Sequence, residues 1–426
     1  MTSRQEIGIP RRLAGVTNDI MRAQPFLFVV AVVLSVSGVA PVAQVPLRDY
    51  PQWRGQHRDG AASGFAEPTS WPAALTRRWK VEVGEGYATP LVIGETVYVF
   101  TRREGDEMMV ALNAMTGAEQ WRSGYPAPYS PGQPAAAHGA GPKATPLFHE
   151  GKLFTLGISG IVSAFDAGTG KRLWHTPAPP EPPFFGAASS PLGEKGLVIV
   201  HPGNYGPLTA FDSSTGAIRW TAGGDGFFAS PISADLGGIR QIVSATQDSI
   251  IGVGLDGRVL WRYPWEGGGG STTPVQHDDT IIVSALDKGV TALRPTRRAG
   301  QWIVERRWET KDVSMYVSNP VVIADTLFGL SHRARGQFFA LDASTGAVLW
   351  LGQPREAENT AFVKTDALLF LLNDDGELIV AKPSRSGFEA IIRYTVADSA
   401  TWAQPTISGN RIFVKDVTSL SLWTFD

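Results

Sequence analysis

Apolar positions along this chain come in short runs separated by tight polar breaks, and the pattern returns about every 43 residues. Its clearest instance reads Leu91-Val92-Ile93, then Gly94-Glu95, then Val97-Tyr98-Val99. Runs this short cannot make an amphipathic helix, and a two-residue break containing glycine is what a hairpin turn requires. The pattern therefore predicts tight β-hairpins. Each hairpin follows a small residue and a proline, at Thr89-Pro90, Thr145-Pro146, Ser190-Pro191, Ser230-Pro231, Thr273-Pro274, Asn319-Pro320 and Gln404-Pro405, with Thr360-Ala361 as a departure. These mark eight starts of one repeated unit.

A second marker, A-x-D-x-x-T-G-x-x-x-W, closes the unit. It is plain from Ala164-Phe165-Asp166 to Trp174, from Ala210-Phe211-Asp212 to Trp220 and from Ala340-Leu341-Asp342 to Trp350, and weaker from Asn113 to Trp121 and from Asp256 to Trp261. Asp accepts hydrogen bonds from the backbone N–H groups ahead of it, and Gly takes the positive φ that lets a third strand fold back as a fourth. The Trp then lies on an outer strand, where it can pack on the neighbouring unit. In the seventh unit Tyr394 is expected at the Trp position.

Four strands per unit predict an all-β, eight-bladed propeller of four-stranded antiparallel blades, and the chain ends predict how the ring closes. The last unit stops after three strands at Asp426, while Arg78-Trp79-Lys80-Val81 precedes the first unit. Joining that N-terminal strand to the last unit completes the blade and removes the exposed sheet edges. The 348 residues from Trp79 to Asp426 over eight units give blades of ordinary propeller length. Residues 77–426 are thus assigned to the propeller, 45–76 to an N-terminal arm and 1–44 to a signal peptide or N-terminal anchor.

Composition agrees with this reading and excludes several function classes. The 47 glycines and 30 prolines in 426 residues suit many short strands and turns. A net charge of -2 offers no basic field for nucleic acid. Without cysteine there is no disulfide, thiolate metal site, thiol nucleophile, c-type haem attachment or lipidated cysteine. The apolar run Phe26 to Val36, preceded by Arg22 and followed by the small residues Ser37 to Ala43, has the layout of a secretory signal peptide. Pro41 near the cut fits poorly, which leaves an uncleaved anchor open, and Met21 is an alternative start. Export to the periplasm or outside the cell is expected either way, as is a monomer, with membrane contact through an uncleaved N-terminal segment alone.

The repeated Asp-Thr-Gly-Trp closing motif resembles the tryptophan-docking repeat of the PQQ-like family, which holds the quinoprotein alcohol dehydrogenases and their non-catalytic relatives. One such relative is the scaffold lipoprotein of the outer-membrane barrel-assembly machine. The segment Tyr50-Pro51-Gln52-Trp53-Arg54-Gly55, with Asp59-Gly60 after it, resembles the arm common in exported members and is expected to lie over the propeller. For the dehydrogenases the resemblance implies a bound pyrroloquinoline quinone, a Ca²⁺ held by oxygen ligands and an Asp base. This chain lacks the paired cysteines on which many of them stack the quinone, the haem-attachment motif and an acidic calcium loop. Its blades also leave no room for long insertions. The expectation is therefore a non-catalytic binding or scaffold protein for an exported protein partner or a small polar ligand. The alternative is a PQQ-dependent oxidoreductase of alcohols or sugars that holds PQQ with Ca²⁺.

Propeller sites usually occupy the face formed by the loops between the second and third strands and the connections leading into each first strand. On that face the candidate ligand-binding residues are His138 and Lys143 from the connection Arg122 to Ala144, His201 and Asn204 from one loop, and His332 and Arg333 from another. If they converge, they would receive an anionic or polar ligand. Exposed loops are polar by default, so the solvated reading stands beside this one. His57 and His175 read as packing or surface residues, and Gly267 to Gly270 as a plain connection rather than a phosphate loop. For a protein partner, the candidate anchors are Phe184-Phe185 in a proline-rich stretch and Trp265 with Tyr263.

Overall fold

The computed structural model describes residues 48–265 and 271–426. The apolar segment Phe26 to Val36 and the glycines 267–270 lie outside the described residues. No helix among the described residues is long and apolar enough to cross a membrane. The described chain forms eight four-stranded antiparallel sheets, each a meander in sequence order except the last. Blade 1 consists of Leu91–Ile93, Thr96–Arg103, Asp106–Asn113 and Glu119–Pro126. The first strands of successive blades touch one another and line the central channel.

Local chemistry explains the short first strands. Ile93 pairs with Thr96, so Gly94-Glu95 is a two-residue turn, with Gly94 at φ 56°. Glu150, Lys195 and Asp278 hold the same left-handed conformation at the first turn position of their own blades. The small residue before each proline has a role as well. Thr89 N–H donates to Thr145 Oγ1 (3.2 Å), Thr145 N–H to Ser190 Oγ (3.0 Å), Ser190 N–H to Ser230 Oγ (2.9 Å) and Thr273 N–H to Asn319 Oδ1 (2.6 Å). Each side chain satisfies a backbone donor of the preceding blade, and this laces the start of one blade to the next.

The closing motif works as turn and dock together. Asp212 Oδ1 accepts from the N–H groups of Ser214 (3.0 Å) and Thr215 (2.9 Å) and from the Thr215 hydroxyl (3.0 Å). Asp166, Asp342 and Asn113 repeat the arrangement. On the outer strand, Trp220 faces Ala210, a small residue that leaves space for the indole. That indole covers Gly257 in the closing turn of blade 4, where a Cβ would lie 2.6 Å from Trp220 Cγ. Its N–H donates to Leu255 O (2.9 Å). Trp79, Trp121, Trp174 and Trp308 cover Gly117, Gly170, Gly216 and Gly346 in the same way, and Trp350 N–H reaches Ser384 O (2.9 Å).

Three details of the repeat differ from expectation. Trp261 does not dock on the next blade, because its indole lies over Gly252 of its own sheet and donates to Gln241 Oε1 (2.6 Å). Trp308 is a docking residue that the motif spacing hides. The strands Gly289–Arg298 and Gln301–Thr310 are both ten residues long and separate it from any Asp-Thr-Gly turn. In blade 7 the bulge register puts Ile392, paired with Val380, at the Trp position, with Tyr394 two residues beyond it.

Closure follows the expected route. The strand Thr76–Glu82 pairs antiparallel with Ser419–Thr424, so blade 8 is composite.

Candidate functional site

Two faces of the channel differ in what covers them. At the hairpin-turn face the arm runs from Arg48 to Ser63 and is bonded to all eight blades. Tyr50 pairs with Val92, Pro51 O accepts from Phe148 N–H (2.7 Å), Ala62 N–H donates to Lys364 O (2.8 Å) and Ser63 N–H to Ile407 O (3.1 Å). Trp53, Arg54 and Arg58 reach inward to the strand starts. Trp53 Nε1–H donates to Thr273 Oγ1 (3.0 Å), Arg54 to Pro320 O (2.5 Å), and Arg58 to Ser190 O (3.2 Å), Pro191 O and Pro231 O (2.6 Å). Burial pulls both guanidinium groups down, Arg54 to about 10 and Arg58 to about 9, so they stay cationic near neutral pH. Backbone carbonyls bond both groups, and the nearby Asp59 carboxylate adds charge stabilisation at Arg54.

Beside the arm, on the same face, is a polar cavity of about 640 Å³ lined by residues that include Gln52, Gln56, His57, His149, Glu194 and Arg240. At the strand-start end of the channel the cavity is only about 40 Å³, between Trp53, Arg54, Asn319, Asn359, Trp402 and Gln404. That admits water and is far below the roughly 300 Å³ at which pockets enclose a cofactor-sized molecule. No carboxylate lines it, and its lining includes Arg54, whose Nη1 is buried without a hydrogen bond. A tricyclic quinone with Ca²⁺ does not fit this cavity.

Of the six loop residues singled out from the sequence, four are hydrogen-bonded to other segments. His201 is buried, with Nδ1 2.9 Å from Gly206 O and Nε2 2.8 Å from Ser244 Oγ of blade 4. Burial pushes its imidazole down to about 4, so it is neutral and has no free nitrogen. His332 likewise places Nδ1 2.8 Å from Ser314 O and Nε2 2.9 Å from Asp287 Oδ1 of blade 5. Arg333 donates to Lys311 O. Lys143 Nζ donates to Phe185 O (2.9 Å), and its half-buried position lowers its pKa. His138 ends the short 3-10 helix Gln133–His138 and stands edge-on to Trp402 at 4.6 Å, its pKa lowered by burial and by nearby Lys143. Asn204 alone of the six is exposed, in the turn after His201. The structure brings His138 and Lys143 together and leaves His332 and Arg333 with partners of blades 5 and 6. None of the six lines either cavity. For the histidines, the partners that occupy their nitrogens come from distant segments, which spacing along the chain does not reveal.

The strand-start face does carry an apolar feature. Phe184 is 56% exposed and meets Phe185 edge-on at 4.9 Å. The cluster continues through Phe228, Phe227 and Tyr205, with Tyr205 5.3 Å from Phe227 and Phe227 3.9 Å from Phe228. The connections into blades 3 and 4 and one loop of blade 3 supply these five rings. Tyr263 and Trp265, the other pair of aromatic candidates, pack against the core cluster around Trp261 and Ile281. Phe227-Phe228 had a legible signal, a doubled aromatic directly before Ala229-Ser230-Pro231.

Comparison with known proteins fits this geometry. A protein of Yersinia pestis described as outer membrane protein assembly factor BamB is 24% identical over 378 residues, spanning 80% of this chain and 86% of that protein. The crystal structure of BamB from Moraxella catarrhalis superposes with a TM-score of 0.62 at 16% identity, covering 83% of this chain and 98% of that one. The quinohemoprotein alcohol dehydrogenase of Comamonas testosteroni gives 0.63 at 13% identity, covering 89% and 80%. At these identities the solved structures share the fold. The sequence pattern of the family described as outer membrane protein assembly factor BamB matches residues 105–351, more than half of the sequence, and the chain belongs to that family.

Proposed function

We propose that this chain is an exported, non-catalytic scaffold that binds a protein partner in the assembly of outer membrane proteins. The observation that carries the reading is the cluster Phe184, Phe185, Tyr205, Phe227 and Phe228 on the strand-start face. Phe184 is exposed in front of four half-buried rings, and aromatic anchors of this kind supply most of the energy in protein contacts. Family membership supports the same reading. So does the small strand-start cavity, which does not hold a quinone and has Arg54 and no carboxylate in its lining. A periplasmic location is supported by the signal-like segment and by the role that the relatives' name states.

The test has two arms. In a strain deprived of this chain, levels of folded outer membrane β-barrel proteins should fall. The double substitution Phe184→Ser and Phe228→Ser should reproduce that fall with the purified protein still folded. Normal barrel levels in the deprived strain would overturn the reading. In the second arm, purified protein is titrated with pyrroloquinoline quinone and Ca²⁺ and assayed for dye-linked oxidation of alcohols and sugars. Saturable turnover would replace the scaffold reading with the oxidoreductase one.

A further inference from the structure

We propose that His277, Asp278 and Asp325 form a divalent metal site of the zinc class that clips the inner hairpins of blades 5 and 6 together. His277 ends the first strand of blade 5, Val275–His277, and Asp278 begins its turn. Asp325 sits in the corresponding turn of blade 6, between Ile323 and Thr326. The His277 side chain is only 10% exposed, and its Nε2 is buried without a hydrogen bond. A buried imidazole nitrogen left unpaired is costly unless something occupies the space before it. What faces it is a pair of carboxylates, with Asp325 Oδ1 at 3.4 Å and Asp278 Oδ2 at 3.9 Å. All three donor atoms lie within 4.8 Å of one another.

These separations are long for charge-assisted hydrogen bonds, which close to about 2.7–2.9 Å. The 3.4 Å separation of His277 and Asp325 suits a shared ion. Four-coordinate zinc holds nitrogen and oxygen ligands at about 2.0–2.2 Å, which sets neighbouring ligand atoms roughly 3.3–3.5 Å apart. One imidazole with two carboxylates favours a borderline metal such as Zn²⁺ over Ca²⁺ or Mg²⁺, which take all-oxygen shells. A water would complete the coordination.

Blades 2 and 3 supply an internal control. His149 occupies the position of His277, its Nε2 is also unbonded, and Glu150 Oε1 lies 3.6 Å away. The second carboxylate, Glu194, is engaged through Oε2, which accepts from Ser233 (2.7 Å) and from both Nε (3.2 Å) and Nη2 (3.0 Å) of Arg240. The neighbouring cations at blades 5 and 6 are engaged elsewhere. Arg294 pairs with Asp279, and Arg385 pairs with Asp342 Oδ2 (2.7 Å) while touching Asp325 only through its backbone carbonyl. Asp278 and Asp325 thus keep free carboxylates.

The experiment uses tag-free, chelator-treated full chain, titrated calorimetrically with ZnCl₂ and melted with and without the metal. One Zn²⁺ per chain is expected, with a metal-dependent rise in melting temperature. His277→Ala should weaken binding by at least the roughly 10–100-fold that loss of an outer-shell partner costs a metal site. Asp325→Asn, at an exposed carboxylate, should weaken it with the zinc-free melting curve unchanged, and His149→Ala should leave binding intact. Millimolar Ca²⁺ should not displace the zinc. The proposal is overturned if no saturable zinc binding occurs, if Asp325→Asn binds like the parent, or if His149→Ala abolishes the binding.

Discussion

Six of the eight blade junctions are closed by a tryptophan docked on the next blade, and two are not. At the docked junctions the receiving blade always offers a tight closing turn, with a glycine under the indole or, in blade 7, a serine carbonyl for its N–H. Blades 5 and 8 cannot offer one. In blade 5 the third and fourth strands continue into a long hairpin, and in blade 8 the fourth strand comes from the N-terminal side of the chain. The blades that precede them have accordingly lost the dock. Trp261 of blade 4 turns onto its own sheet, and blade 7 carries Ile392 at the Trp register. Extensions seal these two junctions instead. Trp302 of the long hairpin lies against Gly237 of blade 4, where a Cβ would meet it at 3.0 Å. At the other, Phe65 and Trp71 pack edge-on to Phe370 and Phe425, and the Tyr394 hydroxyl donates to Pro72 O (2.9 Å). Docking is therefore a property of a pair of blades, since half of the lock is the neighbour's turn.

That contrast can be broken most forcefully at Trp308, the most buried of the docked indoles at 9% exposure, whose N–H donates to Ala343 O (3.0 Å). Trp308→Ala should cost about 3–5 kcal/mol, read as a lowered denaturation midpoint. Trp302→Ala at the undocked junction should cost clearly less. Equal losses would remove the distinction between the two kinds of junction.

A smaller effect is expected from the receiving side. Gly257→Ala would add left-handed strain at φ 87° to a Cβ 2.6 Å from Trp220, together about 2–4 kcal/mol. Gly300, in the long hairpin at φ 84°, has nothing within 4 Å of its would-be Cβ. Gly300→Ala should therefore show the backbone cost alone, about 1–2 kcal/mol. If the two variants melt together, close packing of the indole on glycine is not what holds a dock.

The junction between blades 3 and 4 has an additional strut, His201 to Ser244, which pH can test. The folded imidazole sits at about 4 against an ordinary 6.5. As pH falls through 6.5 the unfolded chain takes up the proton first, so stability declines from there down to about 4 and levels off below it. The loss should be about 3 kcal/mol. Denaturant midpoints measured across that range should slope for the parent and flatten for His201→Gln, and parallel slopes would assign the acid loss to other groups.

The loop histidines show where reading along the chain stops. His138, His201 and His332 were legible as three polar residues on one face, but their roles depend on Trp402, Ser244 and Asp287. Nothing near them in sequence signals those partners. The same holds for the arm. Its Tyr50 to Gly55 stretch was legible as an ordered segment, whereas its function as a channel plug rests on Trp53 meeting Thr273 and Arg54 meeting Pro320, which are 220 and 266 residues apart.

Sequence by itself determined the all-β class, the eight blades, the composite last blade and the chemistry of the Asp-Thr-Gly closing turns. Those features arise from hydrogen bonds between residues a few positions apart, such as Asp212 with Ser214 and Thr215, so they repeat visibly with the chain. Tertiary structure alone decided which tryptophans dock, which face is plugged, where the aromatic cluster gathers and which imidazole nitrogens remain unpaired. Each of these depends on a second segment brought close by ring closure. A residue's pattern of neighbours in sequence carries no record of that partner.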